Sequence, residues 1–592
     1  MAQSLGQMFH AFRTQRHISM AQAASGLNTA TISRFEHDQS DISLKIAGRL
    51  MFNLGMGAND LGEMLATDKK GFPFGLAELV NGQRPALAAK ITAYLQQDIC
   101  AKPLAALIRQ TLPYLQRSVT EDCRLPLTLE QQLADMLAYP EKWGNFEYYL
   151  ITSVLPYASH ELTSLCWQRL TALTGQTLGY RREALWRLGL TALLHDDTPL
   201  AAQIATDMAA ISKIPGLQLH FNNVMPQFLA VVAIAKHKDL TSLLTALRRL
   251  GADQLAAFLA RAAQEARTKP CWHNQVLKDH HDPKLAIAPD AKLMFGPTLG
   301  RLRKQRGLTV SDVLGDWSAS AQSRFEHGKT QLGFRSTIVL MQRMIIPTSQ
   351  MQTATDETST FRRYRLKIFD MASNIKETHR TREDFERVLK EFHHTTPNLP
   401  KGLRVMYEGG LITVLHWAAP GFLPDSDALY ASPSHDEQSA IVDYFRSLSA
   451  LSTQDTELLN LNINRIDQTY YDDLITVILP HLKPQTNVAA QLYDNCTNFM
   501  YGAVYFHVTS VIPKLTAAFK HEPWLISWWP NAEVSELQTL AKCYQQDTPQ
   551  TRREAEQLVA DIRLLCPYDN SADSSAHWLT TYRGKGTDVQ TS

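Results

Sequence analysis

The chain lacks any apolar stretch long enough to cross a bilayer: the longest, Phe228–Ala235, falls well short of the roughly 18 residues a span needs. A membrane is therefore not an expected partner. The first residues, MAQSLGQMFHAFRTQ, carry no continuous apolar segment of the kind an export signal has, so the expected location is the cytoplasm. The seven cysteines lie far apart and form no CxxC pair. That excludes a disulfide framework and a cysteine-based zinc site, and it fits free or buried thiols in a reducing compartment. Net charge is also scarce, at only +1, so any attraction to nucleic acid has to be local. No HExxH, GxxxxGK[ST], GxGxxG or GxSxG occurs, and the His-Glu pairs at 160–161 and 521–522 have no second histidine at the required spacing. No enzyme activity, catalytic residue, metal or cofactor is expected. Trp272, His273, His280, His281 and Asp282 cluster in sequence, but within a Pro-, His- and charge-rich stretch that reads as a polar linker.

What the chain does have is an echo. Ser33-Arg34-Phe35-Glu36-His37 returns as Ser323-Arg324-Phe325-Glu326-His327, 290 positions later. Leu5–Leu54 laid over Phe295–Met344 without a gap gives 11 identities in 50 positions. Besides the pentapeptide these are Gly6/Gly296, Arg13/Arg303, Gln15/Gln305, Arg16/Arg306 and Leu50-Met51/Leu340-Met341. A solenoid repeats every 20–50 residues or so; this period is far longer and implies a duplicated domain or a duplicated protein. A length of 592 residues also exceeds what one core usually organises.

Within the first copy, Leu5, Met8, Phe9 and Phe12 fall on one stripe of a helix. Ser19 reads as the N-cap of a short second helix, and Gly26-Leu27-Asn28 as a turn in which Asn28 or Thr29 caps a third helix over Thr29–His37. Ser43 opens a fourth helix and Asn59 a fifth. Five short helices with a tight turn between the second and third describe a helix-turn-helix domain, whose third helix meets the major groove end-on. Asn28, Thr29, Ala30 and Ser33 are then the residues nearest base edges, with Arg34 and Arg16 as phosphate contacts. The corresponding set in the second copy is Ser318, Ser320, Ser323, Arg324 and Arg306. Arg13 with Glu36, and Arg303 with Glu326, are expected to form an internal ion pair joining the first helix to the third.

The run GLNTATISRFEHDQSDIS resembles the helix-turn-helix of Rgg/GadR/MutR-type transcriptional regulators, a branch of the Cro/C1-type domains. The second copy, WSASAQSRFEHGKTQLG, keeps SRFE but loses the following Asp-Ile-Ser. Charge separates the two. In 1–66 five cations meet five anions, whereas in 293–355 eight cations meet only Asp312, Asp316 and Glu326; by this count the second copy has the larger electrostatic footprint. It also carries Gln322 where the first has the core residue Ile32, and Trp317 in the turn. A polar residue facing inward is costly unless it finds a partner.

The remainder reads as helices of 10–15 residues separated by Pro or Gly, among them Leu104–Leu115, Leu162–Thr174, Leu240–Leu250 and Asp253–Ala266. Stacked helical hairpins of a degenerate, TPR-like kind follow. Tyr139–Leu150 (YPEKWGNFEYYL) resembles the Trp–aromatic–Glu helix in the C-terminal domain of Rgg-type regulators, and Ser452–Leu459 corresponds loosely to Trp143–Leu150. That resemblance implies a TPR-like domain that dimerises and binds a short hydrophobic signalling peptide, as in quorum sensing. Polar groups suited to such a peptide are Asn222, Asn223 and Gln227 in one body and Asn462, Asn495 and Asn498 in the other, with Arg181, Arg182 and Arg187 as a carboxylate clamp.

The expected architecture is all-α: helix-turn-helix domain 1–66, TPR-like domain 75–266, linker 267–292, second helix-turn-helix 293–346, second TPR-like domain 361–566 and mobile tail 567–592. The expected function is transcription regulation on double-stranded DNA, by a chain acting as an intramolecular pseudo-dimer or as a homodimer. The alternative is a protein-interaction scaffold with vestigial helix-turn-helix domains.

Overall fold

A computed structural model describes residues 4–67, 72, 84–117, 123–137, 145–172, 178–212, 224–234, 237–266, 272–277, 295–346, 360–373, 381–396, 398–418, 432–449, 451–482, 487–519, 529–567 and 571–585. Among these the chain is all-α, and the only β-bridge is an isolated antiparallel one between Ser43 and Gly333. No helix of the described residues is long and apolar enough to cross a membrane.

The first head comprises α1 (Leu5–Gln15), α2 (Met20–Ala23), α3 (Thr29–Glu36), α4 (Leu44–Leu54) and α5 (Ala58–Thr67). Ser4, Ser19, Asn28 and Ser43 each accept a bond from a first-turn amide, which fixes four helix starts. Phe9, Ile32, Phe35, Ala47 and Leu50 form its interior. The first body follows as α6 (Arg84–Leu95), α7 (Lys102–Gln116), α8 (Leu127–Leu137), α9 (Asn145–Val154), α10 (His160–Ala172), α11 (Leu178–Leu194), α12 (Thr198–Ser212), α13 (Val224–Ala233), α14 (His237–Arg249) and α15 (Asp253–Glu265). The second head repeats the first as α16 (Phe295–Gln305), α17 (Val310–Val313), α18 (Ala319–Glu326) and α19 (Phe334–Arg343). Its body is α20 (Thr360–Ser373), α21 (Arg382–His394), α22 (Lys401–Ala418), α23 (His435–Ser447), α24 (Thr453–Asn462), α25 (Tyr471–Ile478), α26 (Asn487–Tyr505), α27 (Val511–Ala518), α28 (Trp529–Gln545), α29 (Pro549–Leu565) and α30 (Ser571–Thr581).

One expectation about connecting segments is corrected. The tail expected to be mobile from 567 contains α30, because Ala572, Leu579 and Tyr582 are buried and Trp578 lies 4.8 Å from the Tyr501 ring. The linker is docked where it is described. Trp272 stacks on His195 at 4.0 Å and donates to Asp197 at 3.0 Å, and Gln275 donates to Glu161 and to the Leu125 carbonyl.

The heads touch each other through positions related by the offset of 290. Ser43 and Gly333 form the bridge, and the Phe334 amide donates to the Ile42 carbonyl. Phe334 is fully buried against Phe9 and Phe35, at 5.8 and 6.2 Å between ring centroids. Arg335 binds Asp38 and the Phe35 carbonyl at the C-terminal end of α3, where a cation suits the helix dipole. A Cβ on Gly333 would stand 1.9 Å from Asp41 Oδ2, so any other residue requires that side chain, whose Oδ1 receives the Arg335 amide, to move. The bodies meet through α14 and α29, joined by Arg249 and Asp561 at 2.8 Å. Phe334→Ala is expected to cost about 3–4 kcal/mol and to separate the heads, measured by urea unfolding and by a label-to-label distance between α3 and α18.

Candidate nucleic-acid interface

Four of the shared identities explain how each head holds its third helix. A Cβ on Gly6 would meet the Phe35 carbonyl at 2.1 Å, and one on Gly296 the Phe325 carbonyl at 2.0 Å, so only glycine lets the first helix lie this close. Arg13 donates to both oxygens of Glu36 at 2.8 Å, and Arg303 to both of Glu326 at 2.7 Å. The expected internal ion pair is present in both heads. Burial works to raise the Glu36 and Glu326 carboxyls, but the arginine hydrogen bonds outweigh it and hold both below the ordinary range. Phe35 and Phe325 fill the two cores.

The same register turns the other residues outward. Asn28, Thr29, Ala30 and Arg34 are exposed and Ser33 is half-buried; Ser318, Ser320, Ser323 and Arg324 are exposed. Asn28 and Ser318 cap their helices, each accepting from first-turn amides, so their side-chain oxygens are already engaged. Gln322 finds the partner its position demands. Its carbonyl accepts from Trp317 Nε1 at 2.8 Å and its amide donates to Glu326 at 2.8 Å. Leu27 and Ile32 of one head are thus replaced in the other by a hydrogen-bonded Trp–Gln pair.

Arg16 and Arg306 are a correction. Their side chains are 3% and 0% exposed and face protein, which leaves neither for phosphate. Arg16 donates to Asp455 Oδ1 at 3.0 Å, to Asp455 Oδ2, and to Tyr444 Oη at 2.8 Å. Arg306 holds Glu147 in a bidentate pair at 2.7 and 2.9 Å. Both also reach a C-terminal carbonyl of the fourth helix, Leu54 or Met344. The first head therefore docks on the second body, and the second head on the first. The two acids hold equivalent places, each being the third residue of its helix, α9 or α24. The first joint adds Tyr407 Oη on the Phe52 carbonyl at 3.1 Å and Thr453 on Asp60 at 2.7 Å; the second adds the Ala101 amide on the Arg343 carbonyl at 2.8 Å.

The charge count of the second head shrinks accordingly. Arg303, Arg306 and Arg335 are taken up by Glu326, Glu147 and Asp38, while Lys304, Arg324 and Lys329 remain exposed.

Of the amides considered for peptide binding, Asn462 is buried and donates to the Met406 and Leu458 carbonyls, and Asn495 is buried and donates to the Thr456 carbonyl. Both amides stitch the second body together and are withdrawn as ligand groups. Asn498 is exposed, donating to Asn460 at 2.8 Å, and Gln227 is half-buried on α13. Asn222, Asn223 and the side chains of Arg181 and Arg182 lie outside the described residues. Arg187 lies over the Phe258 ring.

The chain is similar to two solved structures of the SHP pheromone receptor Rgg2 from Streptococcus dysgalactiae. The first is 16% identical over 48% of this chain and 98% of the receptor, with a TM-score of 0.34. The second, a cysteine-to-serine variant of the same receptor, is 14% identical over 49% and 97%, with a TM-score of 0.33. No family model and no curated protein matches the chain.

Glu147→Gln is expected to destabilise the protein by about 3–5 kcal/mol, since it strands a buried guanidinium. Arg306→Met combined with Glu147→Leu should recover most of that loss, a comparison made by chemical denaturation of the single and double variants.

Proposed function

We propose that the chain is a cytoplasmic DNA-binding transcriptional regulator built from two fused Rgg-like units, with one chain presenting both reading heads. The observation that carries this reading is the exposure of two equivalent helix starts, at Thr29 and Ala319, on heads paired through the offset-related residues Ser43 and Gly333. Two-headed readers place their third helices in successive major-groove faces of a site. Here the faces differ: Asn28, Thr29 and Ala30 in one head stand against Ser318, Ala319 and Ser320 in the other. An asymmetric operator follows. Small side chains favour contact with thymine methyls and single hydrogen bonds over bidentate guanine reading. Arg34 and Arg324 supply phosphate contacts, together with the exposed Lys304 and Lys329.

A short hydrophobic peptide held by a helical body is the second element of this reading, and it rests on the resemblance at Tyr139–Leu150. Because both joints sit on the helices α9 and α24, a ligand that shifts either helix biases a head. The scaffold alternative predicts no DNA affinity at all.

Arg34→Ala and Arg324→Ala are each expected to weaken binding to the chain's own promoter and to lower the slope of log affinity against log salt by about 1. Filter-binding titrations over a range of salt, on intact protein verified by circular dichroism, read both quantities. An unchanged slope in both variants overturns the assignment of these helices to DNA.

A further inference from the structure

The two joints differ in charge balance. At the second, among the described residues, Arg306 is paired with Glu147. At the first, Arg16 is buried with two carboxylates, Asp455 and Asp60, which are 0% and 4% exposed. Asp60 sits on α5 of the first head and reaches across to α24, accepting the Thr453 amide and hydroxyl on Oδ1, both at 2.7 Å, while Oδ2 accepts the Gly57 amide at 2.7 Å. The groups facing it are Arg16 from the end of α1, Asp455 from α24 and the Tyr407 phenol from α22. The Tyr444 phenol from α23 lies on Arg16 and Asp455, and Glu457, further along α24, is paired with Arg365 of α20. With both acids ionised this pocket holds one more negative charge than positive, in a place water does not reach.

We propose that the joint between the first head and the second body is a proton-controlled latch centred on Asp60, tightening on acidification, a response set by the second buried acid that this joint holds. Desolvation by burial raises the Asp60 carboxyl to about 6, against hydrogen bonds from Gly57 and Thr453 that pull it down, and nearby Asp455 raises it further. The sign follows from linkage. An acid whose pKa is higher when docked binds a proton on docking, so docking is favoured at low pH and that advantage fades as pH rises through about 6. Between pH 7 and pH 5 the docking equilibrium of the first head gains roughly tenfold. Acid therefore stiffens the first reading head, which changes the balance between the two half-sites of one chain.

The test needs no DNA, so it stands apart from the functional reading above. Amide-exchange protection factors, corrected for the intrinsic pH dependence of exchange, are measured on the full chain at pH 7 and pH 5 for segments 56–61 and 452–456, and for 145–150 and 343–346. The expected result is about a tenfold gain in protection at the first pair of segments on going to pH 5 and none at the second. Asp60→Asn, which cannot titrate, should abolish the gain. Equal gains at both joints, no gain at the first, or a gain that survives Asp60→Asn would overturn the latch. Should Asp60→Asn fail to fold, the comparison between the two joints in the unaltered chain still decides.

Discussion

A guanidinium with almost no solvent contact cannot be left alone. The architecture depends on that constraint at Arg16 and Arg306. Each stands at the end of the first helix of a head, reaches the last carbonyls of the fourth, and closes on a carboxylate of a body. One cation thus ties together two helices of the head and the start of one helix of the opposite body. Moving a charge of this kind out of water costs several kcal/mol, returned only by well-aligned partners, so partial docking has little to recommend it. A head is either seated with its arginine satisfied or detached with it hydrated. The bodies in turn are joined by α14 and α29, and the heads by Ser43 and Gly333. The crossed seating closes these contacts into a ring within a single chain, in which no head can shift without the opposite body.

Much of each head was legible because its interactions are local and repeated. Gly6 and Gly296, Arg13 with Glu36, and Phe35 with Phe325 are identical in both copies because they hold one helix against another within 40 residues or so of sequence. The helical segments of the bodies were legible for the same reason: Leu104–Leu115 and Asp253–Ala266 fall inside or nearly coincide with Lys102–Gln116 and Asp253–Glu265. What stayed hidden was anything whose partner is remote. Arg16 looks like a phosphate contact when read beside its neighbours, because Asp455 lies 439 residues away. A signal was nonetheless present. The exposed helix starts, 28–30 and 318–320, differ at every place, whereas Arg16 and Arg306 match, as do the core residues Phe35 and Phe325. Identities such as Gly6, Arg13, Phe35 and Glu36 mark packing, although the exposed Arg34 and His37 match as well, and Arg16 belongs with the first group. Asn462 and Asn495 misled in the opposite way, since an amide that bonds a helix carbonyl is indistinguishable in sequence from one that awaits a ligand.

The crossed seating also raises the question of how each head selects its body, since each body offers one acid to an arginine, the extra Asp60 belonging to the first head itself, and charge alone does not discriminate. The surroundings of the two guanidiniums do. Arg16 lies over Phe12, 4.4 Å away and belonging to its own head, and the second residue of the opposing helix α24 is Gln454. Arg306 has Leu302 at the place of Phe12 and lies over Phe146, the second residue of α9, at 5.0 Å. Each arginine therefore has one aromatic plate, supplied by the head in one joint and by the body in the other. Exchanging the heads would bring two plates to one guanidinium and none to the other, besides setting the shorter Asp455 and longer Glu147 against the wrong partners. Phe12 with Gln454 and Leu302 with Phe146 thus act as paired tokens, of the same kind as Leu27 with Ile32 against Trp317 with Gln322 inside the heads. In two identical protomers both assignments would have the same energy. In one chain whose halves have diverged, these exchanges make the observed seating the favoured one and fix which head each body seats.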